Sequence, residues 1–251
     1  MILYYHSIPG EYRERFTNQL DKLLHLTRPI PINTVPPLIP GIRYSAITFD
    51  DAFKNIVDNA LPELIRKNIP ATIFVTTGVL GEHATWWPGD ARERHERIAT
   101  AEDIRQLPKE LISVGSHTLS HPKLPSLSQA EAKRELCESR RKLESLLGYP
   151  ITTFSFPWGA FNRNLVECCR EAGYTRVFTT LPFTAFRDPE EFVSGRVAAD
   201  PTDWPLEFHL KLVGAYRWLP LAFSVKRFIL ARVLLSKRRS ASEPSAKRAV
   251  V

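Results

Sequence analysis

The 251-residue sequence contains little cysteine and no long apolar run. Its three cysteines, of which Cys168 and Cys169 are adjacent, cannot form a framework of paired disulfides and lack metal-binding spacing. No stretch approaches the roughly 18 apolar residues that a membrane-spanning helix needs. The first residues also lack the cationic and apolar regions of a signal peptide. We therefore expect reduced thiols and a cytoplasmic protein.

Acidic residues are scarce in the C-terminal part of the chain. Residues 205–251 contain ten Lys or Arg residues and two acidic ones, whereas the whole chain contains 34 and 27. The basic excess therefore belongs to this segment, and residues 1–204 are close to neutral. Because a nucleic-acid reader usually carries its positive charge on the folded domain, we expect no nucleic-acid partner.

The composition predicts two regions: a catalytic domain over residues 1–204 and a basic, partly helical extension over 205–251 that frays after residue 236. The cations of the extension scatter around a helical wheel instead of sharing one face. Two interpretations stay open. The extension docks on the domain, or it makes peripheral contact with the anionic inner face of a membrane, at about 1 kcal/mol per cation.

Short β-rich runs alternate with helical patterns along the first 204 residues, which predicts an α/β fold with a parallel sheet or barrel. The predicted strands are 2–5, 45–49, 71–76, 111–115, 153–156, 175–179 and 192–197. Ser128 and Glu131 form a capping-box pattern that starts a long helix, and Gly148 ends it. About seven such units fit an open doubly wound sheet or an incomplete barrel. Both folds gather reactive groups at the C-terminal ends of their strands.

Two adjacent carboxylates, Asp50 and Asp51, follow the predicted strand 45–49. They repel each other unless a cation or an arginine neutralises one of them, so the pair indicates a charged site at this strand end. The alternative is that one aspartate caps the following helix, a position that aspartate favours.

Two histidines, His117 and His121, follow the predicted strand 111–115. If they lie in a helical turn, their spacing places both imidazoles on one face, close enough to bind one metal ion. A carboxylate from another strand end would complete a site of two histidines and one acid. Two solvent-facing loop histidines are the alternative.

A third motif, FSFPWG at residues 154–159, lies at the end of the predicted strand 153–156. Pro157 and Gly159 indicate a tight turn that presents Trp158 at the same edge of the sheet. An ordinary turn with a packed aromatic ring is the alternative.

The ordered motifs TFDD (48–51), SHTLSHP (116–122) and FSFPWG (154–159) together resemble those of the polysaccharide deacetylase family, the NodB-homology domain of carbohydrate esterases. The resemblance spans roughly residues 1–204. It implies a distorted, incomplete (β/α) barrel of about seven strands. It also implies metal-dependent removal of N-acetyl groups from the amino sugars of a polysaccharide or a lipid-linked glycan.

Carried over to the matching positions, the resemblance implies that Asp51, His117 and His121 bind the metal and that Asp50 is the general base. Such a site leaves a position for water, whose pKa a divalent cation lowers toward about 7. Zn²⁺ is the expected ion for these ligands and for hydrolysis, and Ni²⁺, Co²⁺ and Mn²⁺ are alternatives.

The resemblance also implies which residues stabilise the oxyanion and which residue is the general acid. The backbone N–H of Trp158 would stabilise the oxyanion, in a pocket shaped by Pro157 and Gly159. The opening letters LYYHSI resemble family members with a circularly permuted motif order, in which such a histidine protonates the leaving amine. This comparison favours His6 as the acid. A histidine that merely ends the first strand is the alternative, and His209 is a second candidate for the acid.

The sequence departs from the family pattern at Ser155, where many members have an arginine that pairs with the catalytic base. Arg196 resembles the arginine that takes this role in permuted members, and a surface ion pair is the alternative. Asp203 and Trp204 resemble a later family motif that lines the acetyl pocket.

Other functions are compatible with the same residues. A hydrolase of this fold could act on a small non-carbohydrate amide, and a silent carbohydrate-binding relative would keep the fold without the chemistry. A binding module, however, has no need of an open metal site. A mononuclear iron oxygenase also uses two histidines and a carboxylate but gives no role to Asp50. The sequence therefore favours a deacetylase that acts on a glycan or glycolipid.

Overall fold

Parallel strands form one curled sheet in the computed structural model, which describes residues 1–34, 38–89, 91–182, 185, 186, 188 and 190–215. The strands β1 to β9, in chain order, are Ile2–Tyr5, Arg28–Pro29, Tyr44–Phe49, Ala71–Val75, Ile112–Ser116, Thr153–Ser155, Arg176–Phe178, Val193–Ser194 and Val197–Ala198. Within the described residues, the strand order is β8-β7-β6-β5-β4-β3-β1-β9, and β2 lies beside β3.

Helices follow most of the strands. The helices α1 to α6 are Arg13–Leu26, Leu61–Lys67, Ala101–Arg105, Gln129–Leu147, Arg163–Glu171 and Pro205–Leu212, and a π-helical turn, Ile56–Ala60, leads into α2. The predicted capping box of α4 is confirmed, because Ser128 and Glu131 each accept the other's backbone N–H. Gly148 ends α4 in the left-handed conformation, with φ of +74°.

The predicted strand 192–197 is two strands, because Gly195 and Arg196 interrupt it. β8 pairs with β7 at one edge of the sheet, whereas β9 pairs with β1 at the opposite edge. Two residues therefore link the two edges, and the sheet is an open, curled barrel with eight strands on its main path among the described residues. Of the two predicted folds, the structure confirms the incomplete barrel and not the doubly wound sheet. The main path of the barrel has one strand more than the seven predicted.

Successive side chains of each strand point alternately into the barrel and toward the helices. Ile2, Ala46, Phe74 and Phe178 belong to one buried cluster, whereas their strand neighbours pack in the larger core with the helices. Because successive residues of a strand point to opposite faces, Asp50 lies on the same face as Ala46, four residues before it. Asp50 is therefore directed into the barrel, at the C-terminal end of β3.

The predicted extension begins with α6, whose Phe208 and Leu212 are buried in the main core. Residues 216–251 lie outside the described residues, so their predicted fraying and membrane contact stay predictions. The cellular compartment likewise stays a prediction. Within the part of the chain that the structure describes, no helix is both long and apolar enough to cross a bilayer.

Candidate metal centre

Asp50 and Arg196 form a buried ion pair inside the barrel. Two guanidinium nitrogens of Arg196 each donate to one carboxylate oxygen of Asp50, at 2.7 Å. Burial by itself raises the pKa of Asp50, but the positive charge of Arg196, with smaller contributions from nearby histidines, lowers this pKa below its ordinary value. Asp50 is therefore ionised at neutral pH, and it is not used as a helix cap.

Other side chains fix the guanidinium of Arg196 in this position. It donates to the Thr48 hydroxyl at 3.0 Å, to the Ser155 hydroxyl at 2.7 Å and to the Thr179 carbonyl at 3.3 Å. The Ser155 hydroxyl in turn lies 3.3 Å from Asp50 Oδ2. Ser155, which departs from the family pattern, thus contacts both Asp50 and Arg196.

Asp51 faces the two predicted histidine ligands. Its Oδ1 lies 3.4 Å from His117 Nε2 and 3.2 Å from His121 Nε2, and all three side chains are buried. The potential ligand atoms of these residues lie within 4.8 Å of one another. Asp51 itself has φ of +69°, a conformation that L-residues adopt rarely and that is often found at functional sites.

The segment that carries the histidines is an irregular turn and not the helical turn that was one condition for placing both rings on one face. Thr118 and His121 have φ of +69° and +59°, and these left-handed residues turn both rings toward Asp51. The Glu135 carboxylate on α4 accepts the backbone N–H groups of Leu119 and Ser120, at 2.8 and 3.1 Å. Helix α4 therefore supports the irregular segment.

The two imidazoles differ in their surroundings. His117 Nδ1 lies 2.8 Å from the Ser155 carbonyl, which can only accept, so Nδ1 carries a proton and the lone pair of the neutral ring is on Nε2, on the side of Asp51. Burial lowers the pKa of His117, but the carboxylates of Asp50 and Asp51 raise it above its ordinary value. Burial dominates for His121, whose pKa is lowered.

These donors fit a divalent cation. Asp51 Oδ1 is buried and has no hydrogen-bond partner among the described residues. Burying such an oxygen unpaired costs free energy, and a cation between it and the two Nε2 atoms would remove that cost. Two imidazoles and one carboxylate are a ligand set for Zn²⁺ and related transition ions.

The FSFPWG turn lies beside this cluster. Trp158 and Gly159 have φ of +60° and +61°, and a Cβ at Gly159 would overlap the Thr180 side chain. Pro157 is buried, whereas Trp158 is 41% exposed, and the centroid of its ring lies 5.2 Å from that of His121. Trp158 therefore forms part of the rim of the site.

His6 follows β1, which pairs with β3 in a register that aligns Tyr5 with Phe49. His6 and Asp50 therefore leave neighbouring strands side by side. The His6 ring also contacts the Trp87 ring edge-to-face, with centroids 5.3 Å apart. The other candidate acid, His209, lies on α6, which packs against α1.

Asp203 and Trp204 lie in a different environment. Asp203 forms an ion pair with Lys211 at 2.6 Å, and Trp204 is 78% exposed. Both line a cavity of about 470 Å³ against α1, and none of the described residues that line it belongs to the metal centre. The other lining residues are Arg15, Asn18, Gln19, Lys22, Pro201, Thr202, Pro205 and Phe208.

Sequence reasoning did not assign roles to Trp86 and Trp87, which lie between β4 and α3. Trp87 contacts Asp51, and Trp86 contacts His121. The available signal was two adjacent tryptophans in a long polar segment, since long loops in compact domains are often functional.

A known protein family matches the part of the chain that carries the motifs. A family model described as "Polysaccharide deacetylase" matches residues 40–177, a range that contains all three motifs but neither His6 nor Arg196. The permuted motif order therefore stays a prediction.

Individual relatives match a similar part of the chain. Bacillus subtilis YxkH is 26% identical over 162 residues, which are 64% of this chain and 53% of YxkH. The Listeria monocytogenes peptidoglycan-N-acetylglucosamine deacetylase PgdA is 28% identical over 144 residues, 56% of this chain and 27% of PgdA. The chain thus spans about half of YxkH and about a quarter of PgdA. The structure of IcaB from Ammonifex degensii shares the fold, with a TM-score of 0.70, 23% identity and coverage of 86% and 96% of the two chains.

Proposed function

Because the chain belongs to the polysaccharide deacetylase family, we propose that it removes N-acetyl groups from the amino sugars of a glycan with the help of a divalent cation. The observation that carries this proposal is the convergence of Asp51, His117 and His121. Beside them lies the Asp50 carboxylate, which is paired with Arg196. Hydrolysis of an acetamide needs an activated water, a base and an acid. The site offers a residue for each role.

Asp51, His117 and His121 would hold the cation. A divalent ion bound to them supplies a Lewis acid, which lowers the pKa of water toward about 7 and polarises a carbonyl. Zn²⁺ is the ion that we propose, with Ni²⁺, Co²⁺ and Mn²⁺ as alternatives for the same ligands.

Asp50 is the proposed general base. Its pairing with Arg196 keeps the carboxylate ionised and fixes its orientation. In this scheme Asp50 accepts the proton of the water that attacks the acetamide carbonyl. We assign the backbone N–H of Trp158, which lies in the left-handed turn, to donate a hydrogen bond to the oxygen of the resulting tetrahedral intermediate.

His6 is the proposed general acid. It leaves the strand next to Asp50, and its ring contacts Trp87 at the edge of the metal centre. Protonated His6 would give its proton to the departing amine, and acetate and the free amino sugar are then the products.

The proposed substrate is a glycan that contains N-acetylated hexosamine. The name of the relative PgdA, a peptidoglycan-N-acetylglucosamine deacetylase, supports this class. The exposed ring of Trp204 supports a second sugar contact in the cavity beside α1, because aromatic rings offer sugars a flat apolar surface with a polar edge. A lipid-linked glycan remains within the proposal.

An acetate-release assay tests this function. N-acetylglucosamine oligomers, peptidoglycan fragments, lipid-linked N-acetyl sugars and small non-carbohydrate amides are compared, with and without chelator and with Zn²⁺ added back. We expect chelator-sensitive release from the N-acetylated glycans. Release from the small amides alone would assign the site to a different hydrolase, and no release with any of Zn²⁺, Ni²⁺, Co²⁺ and Mn²⁺ added in turn would contradict catalysis.

A further inference from the structure

Two neighbouring tryptophans, Trp86 and Trp87, approach the metal centre from the segment between β4 and α3. Both side chains are half-buried, and their rings contact different proposed ligands. The Arg94 guanidinium holds the backbone around them by donating to the carbonyls of Thr85 and Trp87, at 2.7 and 2.8 Å. The segment therefore presents the two indoles in fixed positions.

Trp87 determines which oxygen of Asp51 is available. Its indole Nε1–H donates to Asp51 Oδ2 at 3.1 Å. The other oxygen, Oδ1, faces the Nε2 atoms of His117 and His121 and has no hydrogen-bond partner among the described residues. The two oxygens are thus divided between the indole and the proposed cation.

Trp86 contacts the other side of the centre. Its ring stacks on the His121 imidazole, with centroids 4.6 Å apart and planes 20° from parallel. His117 is oriented by a hydrogen bond from its Nδ1, but His121 Nδ1 has no such partner among the described residues. Metal-bound histidines usually depend on this outer hydrogen bond for their orientation. For His121 the stacked indole takes its place.

We propose that Trp86 and Trp87 are positioning residues for the metal centre. Trp87 holds Asp51 so that Oδ1 faces the cation, and Trp86 fixes the plane of His121. The inference rests on the proposed metal centre and extends it by two residues outside the ligand set.

The two indoles allow a matched comparison, because Nε1–H matters at one position and not at the other. Trp87→Phe keeps an aromatic ring, which can still contact His6, but removes the hydrogen bond to Asp51. Trp86→Phe keeps a ring for stacking and removes an Nε1–H that has no partner among the described residues. Trp86→Ala removes the stack altogether.

The test measures binding of Co²⁺ alone to the metal-free 251-residue chain and to each variant. We expect Trp87→Phe to raise the dissociation constant by about 10- to 100-fold, the usual effect of losing an outer-shell partner. Its Co²⁺ absorption spectrum should also change, because Asp51 Oδ2 is released. We expect Trp86→Phe to bind like wild type and Trp86→Ala to bind more weakly. Thermal unfolding of the metal-free variants identifies any that is misfolded.

Wild-type affinity and an unchanged spectrum for Trp87→Phe would overturn the role of Trp87, and wild-type affinity for Trp86→Ala would overturn that of Trp86. Failure of the wild type to bind Co²⁺ would overturn both. Acetate release is measured separately. A chain that shows the expected Co²⁺ pattern without releasing acetate would support the positioning roles and contradict the proposed function alone.

Discussion

Arg196 and Asp50 lie 146 residues apart in the chain, and their side chains are joined by two parallel hydrogen bonds of 2.7 Å inside the barrel. Arg196 occupies the break between β8 and β9, which belong to opposite edges of the sheet. Asp50 directly follows β3, an interior strand of that sheet. One buried contact therefore links the segment that spans the barrel opening to the proposed catalytic base.

Replacing Arg196 should destabilise the fold. Arg196→Gln leaves the Asp50 carboxylate buried without its charged partner, a change that costs about 3–5 kcal/mol in comparable buried pairs. Urea unfolding measures the loss. Arg134→Gln is the control, because Arg134 is exposed and pairs with Glu138 on the same helix; we expect a change within about 0.5 kcal/mol there. Equal effects of the two substitutions would contradict the structural role of the buried pair.

His6→Ala should lower kcat for acetate release by roughly 10² to 10⁴, the range expected when a general acid is lost. Metal content should stay at the wild-type level, because His6 is not among the proposed ligands. His25→Ala, on the exposed side of α1, is the matched control and should leave kcat unchanged. An unchanged kcat in His6→Ala would move the acid to another residue.

Metal affinity should fall as the pH falls. Burial lowers the pKa of His117, but Asp50 and Asp51 raise it above 6.5, its ordinary value. Above this raised pKa, His117 is neutral and can bind the cation, whereas below it a proton competes and the dissociation constant grows roughly tenfold per pH unit. Co²⁺ titrations across the acid-to-neutral range measure the pH below which the affinity falls, which is called the break here. Asp50→Asn removes a charge that raises this pKa, so the break should move to lower pH. A break at the same pH in both proteins would refute this explanation.

The conformation of the FSFPWG turn should be needed for turnover. Gly159→Ala places a Cβ against Thr180 at a residue with φ of +61°, so we expect the turn to shift and kcat to fall. Gly148→Ala has similar backbone strain, at φ of +74°, but its Cβ meets nothing within 4 Å. Both should lose about 1–2 kcal/mol of stability from the left-handed backbone. A kcat for Gly159→Ala equal to that of Gly148→Ala would exclude the turn from catalysis.

The sequence predicted the strand ends and the chemistry there because apolar runs stop abruptly at polar residues. Asp50, Asp51 and His117 each follow a buried strand closely, and parallel strands bring such ends to one edge. The capping box at Ser128 was equally readable, since it depends on residues three positions apart.

The remaining features depend on tertiary structure. The interruption at Gly195 separates two strands that pair with opposite edges, and no local pattern shows which edge each one joins. Thr118 and His121 are left-handed in a segment that Glu135 of α4 contacts, and residue spacing alone could not distinguish this turn from a helical one. The contacts of Trp86 and Trp87 likewise join positions distant in the chain.

The roles of the two adjacent carboxylates are separated by measuring bound metal and acetate release together in Asp50→Asn and Asp51→Asn. We expect Asp50→Asn to retain the divalent ion while kcat falls by roughly 10² to 10⁴, and Asp51→Asn to lose both the ion and the activity. Full turnover in Asp50→Asn, or an Asp51→Asn protein that keeps its metal and its activity, would contradict these roles.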